Sequence, residues 1–265
     1  MIKFLICLSS MFLSTTSISN ACYGWGYSKN DDNIRPYIGK YEEELRDTNS
    51  FYVGNENDNV VYLTFDAGYD NGNMIEILNI LDEKKVKGAF FLTGDFLNRF
   101  EDLVIEINNR GHIIGNHTWS HKNITKLNKE ELENDVLKYE NKLKEIIKSD
   151  VDYFFRPPEG LFNKTSLNYI KQLGYNTIFW SVAYKDWDTN NQSGMDKAVN
   201  SVIKNLHNGA IILLHSVSKD NVKALPVIID KIKEEGYEIK TLYNLFNSWF
   251  DNFYFTFNVK SGIIN

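Results

Sequence analysis

Five side chains of the kinds that move protons or hold metal ions stand at the ends of apolar runs. Asp66 follows Val60–Phe65, His117 follows His112–Asn116, and Arg156 closes Tyr153–Arg156. Asp186 lies just past Thr177–Val182, and His215 ends Ala210–His215. Carboxylates and imidazoles are the commonest general bases and acids, and a guanidinium held at the end of a buried run needs a carboxylate partner. His117-Thr-Trp-Ser-His121 spaces two of the five histidines four residues apart; on a helical turn both would point the same way and could hold one divalent cation. In isolation the pair fits capping or surface histidines equally well, and its place at a strand exit favours metal. Asp66, before Ala67-Gly68, is also a good turn residue, and His215 has a satisfied core histidine as its bland alternative. Arg156 is less ambiguous, because Pro157 and Pro158 fix the backbone beyond it. His112 and His207, at a strand start and a helix end, read as structural. Trp25, Trp119, Trp180 and Trp187 belong to the core by default, although Trp119 and Trp187 flank site residues and could stack on a sugar ring.

The elements that must position these groups are legible as apolar runs alternating with amphipathic stretches. Val60–Phe65, Gly88–Thr93, His112–Asn116, Tyr153–Arg156, Thr177–Val182 and Ala210–His215 are rich in Val, Ile, Phe and Tyr, as buried strands require. Helical patterns lie near Met74–Lys85, Leu97–Asn109, Lys129–Lys148, Lys164–Leu173, Asp196–Leu206 and Val222–Glu235. Tyr237–Ile239 reads as a short strand and Leu242–Trp249 as a terminal helix. On Lys129–Lys148 the residues Leu132, Val136, Tyr139, Leu143 and Ile147 form one apolar face. Alternating strands and helices imply parallel strands with right-handed crossovers, hence a doubly wound sheet or a barrel. No glycine-rich phosphate loop is present, so the barrel is favoured. In a barrel the C-terminal strand ends converge on one face, which makes one cleft of five distant side chains.

The chain has 265 residues, 43% hydrophobic and 24% charged, enough for one domain with its own core. Its net charge of −6 argues against a nucleic-acid partner. Lys3, the mostly apolar Phe4–Leu13 and the small residues up to Ala21 read as a secretory signal peptide over 1–21, with a retained anchor as the alternative. Cleavage there would leave an exported chain with no spanning segment and with Cys22 as its one cysteine, so no internal disulfide is expected. Residues 22–58 read as an irregular lead-in with a possible short helix at Tyr41–Asp47, followed by a main domain over 59–250 and a tail over 251–265.

Five words in this order complete the pattern: Thr64-Phe65-Asp66-Ala67-Gly68, His117-Thr-Trp-Ser-His121, Arg156-Pro157-Pro158-Glu159-Gly160, Trp180-Ser-Val-Ala-Tyr-Lys-Asp186-Trp187 and Leu213-Leu214-His215. Together they resemble the polysaccharide deacetylases of carbohydrate esterase family four. Tyr69-Asp70-Asn71-Gly72, Trp180–Ala183, His215–Asn221 and Trp25-Gly26-Tyr27 are most similar to the sporulation muramic-acid (δ-lactam-forming) branch. The resemblance implies an irregular (β/α)7 barrel of the polysaccharide deacetylase type that hydrolyses the acetamide of an N-acetylated sugar. By the same resemblance Asp66 is the base that activates water, and Arg156 holds it. His117 and His121 bind a divalent metal, zinc being the first choice. His215 protonates the leaving amine, Asp186 orients His215, and the Glu159 backbone N–H stabilises the oxyanion. Trp119, Trp187, Pro157 and Leu213 are expected on the substrate rim.

One departure stands out. The usual second aspartate of the first word, a metal ligand, is Ala67 here, so a weakly held metal on two histidines plus water is expected, to which Asp66 itself could contribute. Glu159 replaces an aromatic residue common in the family. The substrate implied is N-acetylmuramic acid in a peptidoglycan strand whose stem peptide an upstream amidase has removed, with δ-lactam closure for spore cortex to follow. The alternatives are deacetylation of N-acetylglucosamine or chitin oligomers, and a noncatalytic glycan-binding protein.

Overall fold

The computed structural model describes residues 21–29 and 33–246. The expected leader, apart from Ala21, and the tail lie outside them, as does most of the expected terminal helix, which begins as a 3₁₀ turn over Leu242–Leu245. In chain order the elements are β1 (Tyr23–Gly24), α1 (Tyr41–Leu45), β2 (Ser50–Phe51), β3 (Val60–Ala67), α2 (Met74–Glu83) and β4 (Ala89–Leu92). Then come α3 (Gly94–Arg99), α4 (Glu101–Asn109), β5 (Ile113–Asn116), α5 (Lys129–Ile147), β6 (Phe154–Phe155), β7 (Leu161–Phe162), α6 (Lys164–Gln172) and β8 (Asn176–Ile178). The series ends with α7 (Met195–Ile203), β9 (Ile211–His215), α8 (Lys219–Glu234) and β10 (Glu238–Ile239).

Strands β10, β3, β4, β5, β6, β8 and β2 follow one another in a curled sheet, β9 also pairs with β3, and every pairing is parallel. Past β8, Val182 bridges to Ile212 of β9, with Leu213 N–H donating to Val182 at 2.9 Å. That bridge joins the two sides of the sheet, giving the irregular barrel that the strand–helix alternation implies.

Two-residue alternation assigns the faces. Val61, Leu63, Phe65 and Ala67 of β3 pack outward under the helices, with Phe90, Leu92, Ile114, Ile212 and Leu214. Val60 and Tyr62 point inward with Ala89, Phe91, Ile113, Phe154, Ile178 and Ile211. Both faces are buried, which is why these strands read as continuous apolar runs rather than alternating ones.

Besides shifts of a few residues at element ends, three details differ from the sequence reading. The helix expected over Leu97–Asn109 is two helices, broken at Phe100 (φ −132°, ψ 44°). On α5 the buried face ends on Ile146 rather than Ile147, because a straight helix drifts past a strict four-residue step. Residues 22–58 hold more than a helix: β2 extends the sheet beside β8, and β1 pairs antiparallel with β7.

Candidate active site

The inward parity carries directly to the site. Asp66 continues Tyr62 and Thr64, His117 continues Ile113 and Gly115, Arg156 continues Phe154, and His215 continues Ile211 and Leu213. Gly115 has to be glycine, since a Cβ there would lie 2.4 Å from the ring of Phe91. Phe91 in turn lies under the Arg156 guanidinium, 4.1 Å from ring centre to Cζ.

Arg156 is fully buried, and its guanidinium is fastened on all sides. Nη1 donates to Asp66 Oδ1 at 2.7 Å, Nη2 to Thr64 Oγ1 at 2.9 Å, and Nε to the Ile178 carbonyl at 2.9 Å. Burial alone would raise the Asp66 carboxyl, but Arg156, His117 and His215 outweigh it and hold its pKa below the ordinary carboxylate value. Asp66 is therefore an ionised, oriented carboxylate whose Oδ2 lies 3.7 Å from His117 Nε2.

His117 Nδ1 bonds the Arg156 carbonyl at 2.8 Å, so Nδ1 carries the proton and Nε2 keeps its lone pair. Burial, above all, pushes its pKa down to about 4, which keeps the ring neutral. The turn to His121 is not helical, since Thr118 (φ 67°) and His121 (φ 52°) are left-handed, yet the two rings still converge to 5.0 Å. The side chain of Asn116 accepts from Thr118 N–H at 2.8 Å, and the Thr118 hydroxyl accepts from His121 N–H at 2.9 Å. Asp135 of α5 accepts from the Trp119 and Ser120 amides.

Opposite lies a second acid–base pair. His215 Nδ1 meets Asp186 Oδ1 at 2.7 Å, while Asp186 Oδ2 accepts from the His215 backbone N–H at 2.8 Å and from Asn221 Nδ2 at 2.6 Å. Burial opposes charge on His215, but the hydrogen bond and charge of Asp186, with Asp66, prevail and raise its pKa above 6.5. Nε2 is left as the free ring nitrogen of a readily protonated imidazole.

Asp66, His117, His121, Glu159 and His215 line one cleft of about 770 Å³, whose walls include Trp25, Tyr27, Tyr69, Trp180, Tyr184, Trp187 and Leu213. Aromatic walls around a few convergent polar groups suit a sugar. Of the expected rim, Trp187 and Leu213 are in place. Trp119 is not: the left-handed Thr118 ends the strand alternation, and the indole packs on the outer core beneath Lys138 Nζ at 4.3 Å. Pro157 is buried at the base of the Pro158–Gly160 turn, where its carbonyl accepts from Gly160 N–H at 3.1 Å. The sequence reading missed Trp25, Tyr27, Tyr184 and Asn221 as site residues and left Trp180 in the core. Trp180 was recoverable as the inward neighbour of Ile178, whereas only the fold brings the lead-in aromatics to the cleft.

Comparisons with known proteins identify the family. Residues 53–178 match the polysaccharide deacetylase family model. The chain is 35% identical over 246 residues to the peptidoglycan-N-acetylmuramic acid deacetylase PdaA of Bacillus subtilis, covering 91% of this chain and 94% of that protein. It belongs to the polysaccharide deacetylase family. The solved structure of Bacillus subtilis PdaA, a family 4 carbohydrate esterase, superposes on this polysaccharide deacetylase with a TM-score of 0.83 at 36% identity, covering 86% of this chain and 98% of that one. A peptidoglycan-N-acetylglucosamine deacetylase of Bacillus cereus is 34% identical over 71% of this chain and 89% of its own length. Family membership makes the protein a hydrolase of the carbohydrate esterase type with a barrel fold.

Family members are metal-dependent, and the donor set here fits a partial site. His117 and His121 supply two convergent imidazoles, the first with its tautomer fixed by a carbonyl, which is the usual arrangement behind a ligating histidine. Among the described residues no cluster of three His, Cys, Asp or Glu forms a cage, and Ala67 packs in the outer core.

Proposed function

We propose that the protein removes the acetyl group from N-acetylmuramic acid in peptidoglycan strands stripped of stem peptide, leaving an amine that can close on the lactyl carboxylate as the δ-lactam of spore cortex. The observation that carries the reading is the pairing of two oriented acid–base units, Asp66–Arg156 and His215–Asp186, in one aromatic-walled cleft. Asp66 takes a proton from water, and the hydroxide adds to the acetamide carbonyl. The Glu159 backbone N–H stabilises the oxyanion at the turn where Glu159 adopts φ 55°. His215 Nε2 delivers its proton to nitrogen, the C–N bond breaks, and acetate and a free amine leave. A divalent cation on His117 and His121, zinc being the first choice, would polarise the carbonyl and acidify the water.

The muramic substrate is supported by likeness to PdaA across nearly the whole of both chains, against the shorter match to the N-acetylglucosamine deacetylase. The reading places action outside the cytoplasm, in the cell wall or the forespore intermembrane space, downstream of an N-acetylmuramoyl-L-alanine amidase. Among the described residues no helix is long and apolar enough to cross a membrane. Acetate release from a panel of peptide-free muramic oligosaccharides, peptidoglycan N-acetylglucosamine and chitin oligomers tests the assignment. Turnover confined to the muramic substrate is expected. Turnover of chitin oligomers alone would move the substrate to N-acetylglucosamine, and glycan binding without acetate release under any metal would leave a binding protein.

A further inference from the structure

The turn that carries Glu159 is an unusual thing to leave unsupported. Glu159 (φ 55°) and Gly160 (φ 64°) are two consecutive left-handed residues, and a glutamate adopts that region only when its surroundings hold it there. Within the turn the Gly160 N–H donates to Pro157. The Gly160 carbonyl is held from outside, by the backbone N–H of Trp25 at 2.8 Å.

Trp25 belongs to a strap at the start of the described chain. Its β1 pairs with β7, Tyr23 opposite Phe162 and Gly24 opposite Leu161, so the strap is zipped to the two residues that leave the turn. The Trp25 indole donates to the Trp180 carbonyl at 2.9 Å and stacks on Phe179 with ring centres 4.4 Å apart. Tyr41 donates to the Gly24 carbonyl at 2.6 Å. The approach is close enough that a Cβ on Gly160 would lie 2.8 Å from Trp25 Cβ and 3.0 Å from the Trp180 ring. The strap also precedes the stretch 53–178 that matches the family model.

We infer that this strap is a positioning element for catalysis: through the Trp25 N–H it locks the Glu159–Gly160 turn, and with it the amide that faces the tetrahedral oxyanion. The inference rests on the oxyanion role given to Glu159 above. A deacetylase in which the Trp25 N–H no longer held this turn would still bind its glycan but would stabilise the transition state poorly, because a donor aimed at developing charge acts only when its geometry is fixed in advance.

Two variants separate the N–H from the indole. Trp25→Ala removes the ring and keeps the amide; Trp25→Pro removes both. Each is measured for kcat on a peptide-free muramic oligosaccharide. Each is also measured for affinity toward two probes: an N-methylphosphonyl analogue of that sugar, which mimics the tetrahedral anion, and the deacetylated amine product, which reports the folded cleft. Trp25→Pro should fall about 10- to 100-fold below Trp25→Ala in kcat and in affinity for the phosphonyl probe, with its amine affinity within about twofold of that of Trp25→Ala, since loss of one oxyanion donor is worth roughly 10²–10³ in rate. Equal kcat and equal phosphonyl affinity in the two Trp25 variants would overturn the strap's role. Wild-type protein that binds the phosphonyl probe no better than the amine would overturn the oxyanion reading itself.

Discussion

Asp186→Asn is a change of one atom whose consequence can be worked through the hydrogen bonds. Oδ2 accepts from the His215 backbone N–H, which can only donate, and from Asn221 Nδ2, whose amide is held in that orientation by the Tyr184 hydroxyl donating to its Oδ1 and by its own bond to the His215 carbonyl. The amide oxygen of the substituted side chain must therefore take that position, which turns its NH₂ toward His215 Nδ1. Nδ1 is then forced to accept, fixing the neutral Nε2–H tautomer and opposing the imidazolium. In the wild type Asp186 raises the His215 pKa above 6.5, so the protonated acid is present at low pH and is lost as pH rises through that raised value. In Asp186→Asn the alkaline limb of kcat moves below its wild-type position. A positioned general acid contributes roughly 10²–10⁴ in rate, or about 2.7–5.5 kcal/mol of barrier, and kcat should fall by that order. The assay is a kcat–pH profile on a soluble muramic oligosaccharide, with the His215 ring followed by NMR in the same buffers. A variant within about tenfold of wild type, with its alkaline limb unmoved, would refute the assignment of His215 as the acid.

Other perturbations probe the remaining parts. Arg156→Met leaves Asp66 buried without its partner and should destabilise the fold by about 3–5 kcal/mol in urea unfolding, with Asp66→Asn in the same chain restoring part of it. Burial pushes the His112 pKa down to about 4 while its Nδ1 accepts from Gly88 N–H, so the unfolded chain binds the proton first and stability falls as pH drops from 6.5 toward 4. That single group should account for about 3 kcal/mol of acid destabilisation, and His112→Asn, which retains an acceptor, should flatten the loss measured at pH 7 and pH 4.5. Metal should be removed by mild chelation with loss of turnover and restored by added zinc; a stoichiometric metal that survives chelation would contradict the two-histidine site. Ala67→Asp should lower the melting temperature of the metal-free protein, because Ala67 is 1% exposed and packs in the outer core.

Much of this architecture is legible in the chain because parallel strands buried on both faces leave apolar runs, and the groups at their exits must share one rim. Asp66, His117, Arg156 and His215 follow from that, and two-residue alternation explains why all four point inward. What the sequence conceals is what depends on the third dimension. Trp119 and His121 lie in one five-residue word, yet a left-handed Thr118 sends the indole to the outer core while the two imidazoles still converge. The lead-in carries no hydrophobic period because its order comes from pairing with β7, from tilted ring contacts with Phe162 and from stacking on Phe179, none of which is local. Asn221, on the first turn of α8, reads as an ordinary polar helix residue until it is seen bridging Asp186 and the His215 carbonyl.

The most direct test of the account is mass spectrometry of muramidase-released fragments after the purified protein, with added divalent metal, has acted on amidase-treated peptidoglycan, beside an Asp66→Asn control. The account predicts loss of acetyl from muramic acid with the wild type alone, and a further loss of water wherever the lactam has closed. Intact N-acetylmuramic acid under every metal, or the same loss with Asp66→Asn, would contradict it.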